Sequence, residues 1–157
     1  MNLEEVLTRF KDGQLDLEAA LAAVSESLAE NLGHTVIDHD RERRTGAGEV
    51  IFGEGKTSAQ ISDIVSAMID NGSNVLVTRL SEEKYHALND LPPEVAYHAQ
   101  SRTLAYIQDP KPKPATAVAV VTAGTSDIAV AEEAALTAEF FGNEVSRIYD
   151  VGVAGLH

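Results

Sequence analysis

Apolar residues recur at helical spacing in residues 3–11 and 17–31, which predicts two amphipathic helices in a helical pair over residues 1–33. The two apolar stripes consist of Leu3, Val6, Leu7 and Phe10, then Leu17, Leu21, Val24 and Leu28. Such a pair either packs on its own domain or covers a neighbouring subunit. We expect the first, because short helices gain stability mainly by burying a face locally.

Residues 34–108 change to short β-branched runs around one long helix, a mixture that predicts a small α/β domain. The helix is expected over residues 58–71 and ends at Gly72, with its isoleucine, valine and methionine side chains turned inward. Ser81 is placed to cap a second, shorter helix that continues to Leu88. Strands are expected at residues 35–38, 49–52, 74–78, 95–97 and 103–107.

The boundary between two domains is expected at residues 109–114, where three prolines alternate with two lysines. Such a segment is stiff and extended, and its prolines cannot donate backbone hydrogen bonds to a sheet. We therefore interpret it as a linker, with a second domain starting at residue 115.

A valine-rich run before Ala123 predicts a strand covered on both faces of a parallel sheet, because polar alternation is absent. Gly124 ends this strand, and Thr125, Ser126 and Asp127 are placed to cap the next helix. The first N–H groups of a helix lack intrahelical partners and its dipole favours an anion, so the turn is a candidate phosphate site. The apolar face of that helix is expected at Val130, Ala134, Leu136, Ala138 and Phe141.

Gly142 closes the helix, and a second strand is expected at residues 144–149. The pattern is the first β-α-β unit of a doubly wound parallel, flavodoxin-like sheet, in which loops at the carboxyl ends of strands form the ligand crevice. The turn after Ala123 should then lie beside the loop that carries Gly152 and Gly155. The alternative is that Ser126 and Asp127 are helix caps only.

One strand, one helix and one strand cannot cover both faces of a parallel sheet. The fold is therefore expected to be α/β but incomplete. Either the chain is the amino-terminal portion of a longer enzyme, which we favour, or another copy completes the sheet.

Composition limits the function classes. A formal charge of −13 disfavours nucleic-acid binding, which depends on lysine and arginine. Without a long apolar run, the sequence is expected to be soluble, cytoplasmic and not bound to membranes. The absence of cysteine excludes disulfides and a cysteine nucleophile within these residues, and the five histidines lack the paired spacing of a helical metal site.

Three basic residues are further candidates for binding a phosphate. Lys56 follows a glycine-rich turn, although Val50 stands where a P-loop requires its first glycine. Arg43 and Arg44 precede a glycine-containing segment and could meet a phosphate bidentately, or they could be a solvated surface turn.

The sequence of residues 120–157, with residues 40–44 and 49–56, resembles the pyridinium biscarboxylic acid mononucleotide synthase family, which makes the nickel-pincer cofactor of the lactate racemase system. The resemblance implies carboxylation of the pyridinium ring of nicotinic acid adenine dinucleotide and cleavage of its phosphoanhydride to release AMP. It implies carbon dioxide or bicarbonate as co-substrate and no cofactor bound by this chain, and it leaves a role for magnesium open. The catalytic nucleophile is expected outside these residues, so this chain alone should be inactive.

More distantly, residues 115–157 are similar to the carboxyaminoimidazole ribonucleotide mutase and aminoimidazole ribonucleotide carboxylase family. That similarity implies that Ser126 and Asp127 bind phosphate and ribose; the turn is one residue shorter than the family's, so Thr125 carries over less well. We expect the backbone N–H groups of Gly124, Thr125, Gly152 and Gly155 to add hydrogen-bond donors. His157 is the candidate counterpart of the family's histidine. These relatives form octamers, so a homo-oligomer is expected. Purine carboxylation, or a non-catalytic nucleotide-binding or assembly module, remain the alternative functions.

Overall fold

Helix α1 (Leu3–Lys11) and helix α2 (Leu17–Leu28) form a hairpin in the computed structural model, which describes residues 3–114 and 116–152. Asp16 caps α2 as predicted, since its carboxylate accepts a hydrogen bond of 2.7 Å from the backbone N–H of Ala19. Only Val6 and Ala20 of the hairpin are buried among the side chains that the structure describes. The expectation that both apolar stripes pack inside their own domain is therefore wrong for four large residues, which remain exposed: Leu7, Phe10, Leu17 and Leu21.

The second helix was predicted to continue to residue 31, but it ends at Leu28. Residues Ala29–Asn31 form strand β1 instead. It pairs antiparallel with strand β2 (Val36–Asp38). The turn between them is closed by the side chain of Asn31, which accepts a hydrogen bond of 2.8 Å from the N–H of Gly33. Helix α3 (Arg41–Thr45) follows and ends at Gly46, in the left-handed conformation that glycine adopts most readily.

The central sheet has the order β3-β4-β6-β5, with β3 and β4 parallel and the other two pairs antiparallel. Its strands are β3 (Val50–Phe52), β4 (Val75–Thr78), β5 (Ala96–His98) and β6 (Thr103–Tyr106). Helix α4 (Ser58–Asp70) connects the parallel pair, and the short helix α5 (Glu82–His86) follows β4. Each of these elements was predicted, with ends that differ by a few residues.

Helix α4 supplies the main core. Its inward residues, Ile61, Ile64, Val65 and Met68, are buried as predicted. They cluster with buried residues of the sheet that include Ile51, Val75, Val77 and Leu104. Thr57 and Gln60 form a capping box at the start of α4, so the N–H groups of these two residues have side-chain partners.

The second sheet consists of β7 (Ala117–Val121) and β8 (Glu144–Ile148), which are parallel and joined by helix α6 (Ile128–Phe140). This unit is the β-α-β beginning of an incomplete flavodoxin-like fold. Strand β7 is not covered on both faces, which corrects the prediction: Val118 and Val121 remain partly exposed. The reason is that α6 covers one face only in the part of the chain that the structure describes.

The buried face of α6 also differs from the prediction. Ala131, Ala135 and Phe140 are buried, whereas Val130 and Ala134 are exposed. Apolar residues occur all round this helix, so periodicity does not select one face. The small alanines allow close approach, and α6 contacts β7 and β8 on one side and β4 and β6 of the central sheet on the other.

Residues 109–114 contain no helix or strand, as predicted, but side-chain contacts anchor the first half of this segment. Asn74 accepts hydrogen bonds from the N–H groups of Gln108 and Asp109, at 2.8 and 2.9 Å, and donates to the carbonyl of Asp109 at 2.7 Å. Further along, the ammonium group of Lys111 lies 2.5 Å from the carboxylate of Glu42 in α3. The segment is thus attached to the domain that it leaves.

Within the described residues, no helix has the length and apolar character needed to cross a bilayer.

Candidate functional site

The carboxyl ends of β7 and β8 lie side by side, and their hydrogen bonding continues past the strands. The N–H of Thr122 donates to the carbonyl of Ile148 at 3.1 Å, and the N–H of Val151 donates to the carbonyl of Thr122 at 3.0 Å. The hydroxyl of Thr122, which is buried, accepts a hydrogen bond of 3.4 Å from the N–H of Asp150. The two loops that the sequence assigned to one crevice therefore have a fixed relationship.

Gly152 makes the closest approach between these loops. A Cβ atom added to Gly152 would lie 2.4 Å from the carbonyl oxygen of Ala123, which is far inside van der Waals contact. Only glycine fits this position without a backbone shift. The turn that starts at Gly124 is thereby held against the loop after β8. Gly155 and His157, the other two candidates in this loop, lie outside the described residues.

Residues 125–127 form one turn of 3₁₀ helix between Gly124 and α6. The prediction that these side chains cap the helix is wrong, because Asp127 stands at the N-cap of α6 without a side-chain cap hydrogen bond, and the N-cap of the 3₁₀ turn is Gly124, which has no side chain. Instead the hydroxyl of Ser126 donates to the carboxylate of Asp127 at 3.4 Å. Thr125, Ser126 and Asp127 are all exposed. These three side chains are consequently accessible from solvent.

Two residues after β8 were not singled out by the sequence. Asp150 adopts a positive φ of 60°, which is uncommon for a residue with a side chain and marks a constrained loop. The Tyr149 hydroxyl is buried beside Glu132 and Arg147, and burial raises the pKa of this phenol above its ordinary value of 10.0. The only sequence signal for the conformation of Asp150 is its residue type, because aspartate tolerates a positive φ better than most residues do.

A second glycine-containing loop, residues 53–56, follows β3. The ammonium group of Lys84 donates to the carbonyls of Gly53 and Glu54, at 2.9 and 2.8 Å, and so fixes the course of the loop. Lys84 is a functional candidate that the sequence did not reveal, since it lies about thirty positions away from the loop. Lys56 itself has no side-chain partner among the described residues.

Arg43 and Arg44 are engaged with carboxylates of their own segment. Arg43 forms a bidentate pair with Asp40, at 2.6 and 2.9 Å, and hydrogen bonds from Arg43 lower the pKa of that carboxyl. Arg44 pairs with Asp38 and, at 3.3 Å, with Asp40. In the structure, neither guanidinium group is therefore free to donate hydrogen bonds to a phosphate.

Arg79 connects the central sheet with the β7-α6-β8 unit. The carboxyl ends of β3 and β4 form one crest, and those of β7 and β8 form the other. Arg79 follows β4, and its Nε lies 2.7 Å from the carboxylate of Glu133 in α6. The hydrogen bond that Arg79 donates to the carboxylate of Glu133 raises the pKa of Arg79. Since β3 and β4 are parallel, Gly53 and Arg79 occupy the same end of the central sheet, and Glu133 lies in the second turn of α6 after Asp127. The two crests thus face the same end of the molecule.

No cluster of metal-ligating side chains occurs among residues 3–114 and 116–152. The ends of β7 and β8 carry a polar turn and a neighbouring loop, whose exposed hydroxyl and carboxylate groups can form hydrogen bonds.

Comparison with known proteins identifies the family. Residues 29–109, slightly more than half of the chain, match the LarB/PurE-like N-terminal domain. The chain belongs to this family. Members of the LarB/PurE-like family are enzymes of a carboxylase or mutase type. The matched region contains the central sheet with α4 and the Lys84-anchored loop, and it ends where the proline-containing segment begins.

The chain also resembles the uncharacterized protein MJ0165 of Methanocaldococcus jannaschii, with 30% identity over 163 aligned positions. The alignment covers 99% of this chain and 64% of that protein. The likeness to MJ0165 therefore includes the crest of the second sheet, which the domain match leaves out, while the chain spans less than two thirds of the length of this relative.

Proposed function

We propose that this chain forms the nucleotide-binding turn and the amino-terminal region of an enzyme that carboxylates the pyridinium ring of nicotinic acid adenine dinucleotide and releases AMP. The reaction would serve nickel-pincer cofactor biosynthesis. Membership of the LarB/PurE-like family supports a carboxylase-type reaction. The observation that carries the proposal is the close contact between Gly152 and Ala123, which holds an uncapped, polar turn beside the end of β8.

The exposed turn offers both kinds of hydrogen bond that a nucleotide needs. Ser126 can donate to a phosphate oxygen, while the Asp127 carboxylate can accept from ribose hydroxyls. Backbone N–H groups of Gly124, Thr125 and Gly152 would add donors, and Gly155 and His157 remain proposed members of the same site. The carboxylate of Asp127 suits the sugar rather than the phosphate, because like charges repel.

The basic candidates differ in their readiness to bind. Lys56 needs no rearrangement, so we propose it as a phosphate contact. Arg43 and Arg44 would first have to leave Asp38 and Asp40, and the charge-assisted bonds that hold them make this costly. We therefore place both arginines behind Lys56 as phosphate ligands.

The proposed chemistry requires a nucleophile that this chain lacks. Addition of a thiolate or a similar group to the pyridinium ring removes the ring's positive charge and creates an enamine. The enamine carbon then forms a bond to carbon dioxide, loses its proton, and expels the nucleophile, which restores the aromatic ring. Water cleaves the phosphoanhydride and releases AMP. Since the 157 residues contain no cysteine, we propose that they bind the dinucleotide but do not carboxylate it.

Carboxylation or mutation of an aminoimidazole ribonucleotide is the second candidate, because the same turn could hold a mononucleotide. The location of the family match favours the pyridine reaction, since it falls in residues 29–109, before the turn, in a region that the purine reaction does not need. A non-catalytic nucleotide-binding or assembly module is the candidate of another class.

Calorimetric titration of the protein with each nucleotide separates these candidates. Nicotinic acid adenine dinucleotide should bind, and aminoimidazole ribonucleotide should bind at least tenfold more weakly. The reverse preference would establish the purine reaction. Binding of neither nucleotide, in the protein as its gene encodes it, would support the non-catalytic module and overturn the enzyme proposal.

A further inference from the structure

The α1–α2 hairpin exposes large apolar side chains on both of its helices. Leu7 is 54% exposed and Phe10 is 42% exposed in α1, while Leu17 and Leu21 are 63% and 60% exposed in α2. Single exposed leucines are ordinary, but four large apolar residues on one short hairpin form a patch, and such patches mark interaction surfaces.

The two apolar stripes lie on the same side of the hairpin. Val6 and Ala20 are buried and mark the line along which the helices pack. At about 100° per residue, Leu7 lies about 100° round the helix from Val6, and Leu21 lies about 100° from Ala20 in the same rotational sense. Because the helices of a hairpin run in opposite directions, rotation in the same sense turns both stripes toward one side.

The distribution of charge on α1 indicates what covers this side. Glu4 stands in the first turn of α1 and Lys11 in the last, and neither side chain has an ion-pair partner among the described residues. If a second α1 crosses the first antiparallel, with the crossing point near Leu7, Glu4 of each copy meets Lys11 of the other. The helix is therefore complementary to itself about a two-fold axis, as an isologous dimer requires.

We propose that the exposed side of the hairpin is a dimer interface with a second copy of this chain, in which two hairpins pack face to face as a four-helix bundle. Leu7, Phe10, Leu17 and Leu21 form its apolar centre, and the Glu4 and Lys11 pairs form its rim. This arrangement buries a patch that otherwise remains in water, and it resembles the apolar core and polar rim of protein interfaces. The inference does not depend on the proposed reaction.

Sedimentation equilibrium of the full chain tests the apolar centre. The chain should dimerise in a concentration-dependent manner, and Leu7→Gln together with Leu21→Gln should weaken self-association at least tenfold. Val130→Gln is the matched control, since Val130 is equally exposed, at 59%, but lies on α6. A monomer at all concentrations, or a dimer that Val130→Gln weakens as much as the double substitution does, would overturn the proposal.

Charge reversal tests the antiparallel arrangement and does not depend on core packing. Glu4→Lys and Lys11→Glu should each weaken the dimer, and their combination in one chain should restore it, because every pair is then reversed. Circular dichroism should show the same helix content in all variants. If the combined variant associates as weakly as the single ones, the antiparallel crossing of α1 is wrong.

Discussion

Arg79 and Glu133 join two units that the sequence presents as separate: the Nε of Arg79, at the end of β4, lies 2.7 Å from the carboxylate of Glu133 in α6. The pair is partly shielded, and it lies where the end of β4 meets the helix of the β7-α6-β8 unit. It therefore helps to set the position of one crest relative to the other.

Arg79→Met and Glu133→Gln should each lower the urea concentration at the midpoint of unfolding, since each leaves the other partner without its ion pair. The double variant should be at least as stable as the less stable of the two single variants, because both substitutions remove the same interaction. Equilibrium unfolding followed by circular dichroism gives all four values. Strictly additive losses would show that the two side chains act independently.

Gly152→Ala should lower the free energy of unfolding by about 1–3 kcal/mol, the usual cost of inserting a methyl group where there is no room. The new Cβ would lie 2.4 Å from the carbonyl oxygen of Ala123. Gly55→Ala is the matched control, because its Cβ would meet no atom within 4 Å and its φ needs no glycine. Equal effects of the two substitutions in urea denaturation would contradict the close approach.

Asp127→Ala should weaken the binding of nicotinic acid adenine dinucleotide by roughly ten- to a hundredfold, the effect expected for a lost hydrogen bond to a charged group. The measurement is a calorimetric titration of the protein as its gene encodes it. Glu83→Ala in α5 is the control, since it removes an exposed carboxylate that is not part of the turn. An unchanged affinity for Asp127→Ala would remove this residue from the proposed site.

Arg147→Met should change the pH dependence of stability. Hydrogen bonds from Arg147 lower the pKa of Glu139 below its ordinary value of 4.5. A carboxyl with a depressed folded-state pKa stabilises the fold above its unfolded pKa, and this contribution is lost as the pH falls through the folded value. The stability difference between wild type and Arg147→Met should therefore be largest near about pH 7 and shrink below pH 4.5.

Urea denaturation over that pH range measures the difference. Arg41→Met is the control, since it removes an exposed arginine of α3 and the same charge. If the wild-type and Arg147→Met curves stay parallel at all pH values, Glu139 does not titrate as the pair with Arg147 requires.

The sequence predicted those elements in which local signals agree. Helix α4 has apolar residues at helical spacing, Thr57 at its start and Gly72 behind its end, so periodicity and capping give the same bounds within one residue. The adjacency of the β7 and β8 crests was likewise predictable, because two strands joined by one helix lie parallel in one sheet.

Features that depend on distant contacts could not be predicted in this way. Strand β1 contains Ala29, Glu30 and Asn31, which have no strand preference, and it forms because β2 pairs with it. The hydrogen bonds from Lys84 to the loop after β3 also have no signal in the local sequence. In α6, apolar residues surround the helix, and only the presence of two sheets decides which alanines are buried.

Helix α6 contacts both sheets, and this affects which fragments of the protein can be expected to fold. Leu76 of β4 is fully buried, on the face of the sheet opposite to Val75 and Val77, where α6 packs. A fragment cut after Asp109 would retain the whole segment that the family profile recognises and yet lose the cover over Leu76. The segment covered by the family match, residues 29–109, is therefore shorter than the stretch of chain that keeps Leu76 out of water.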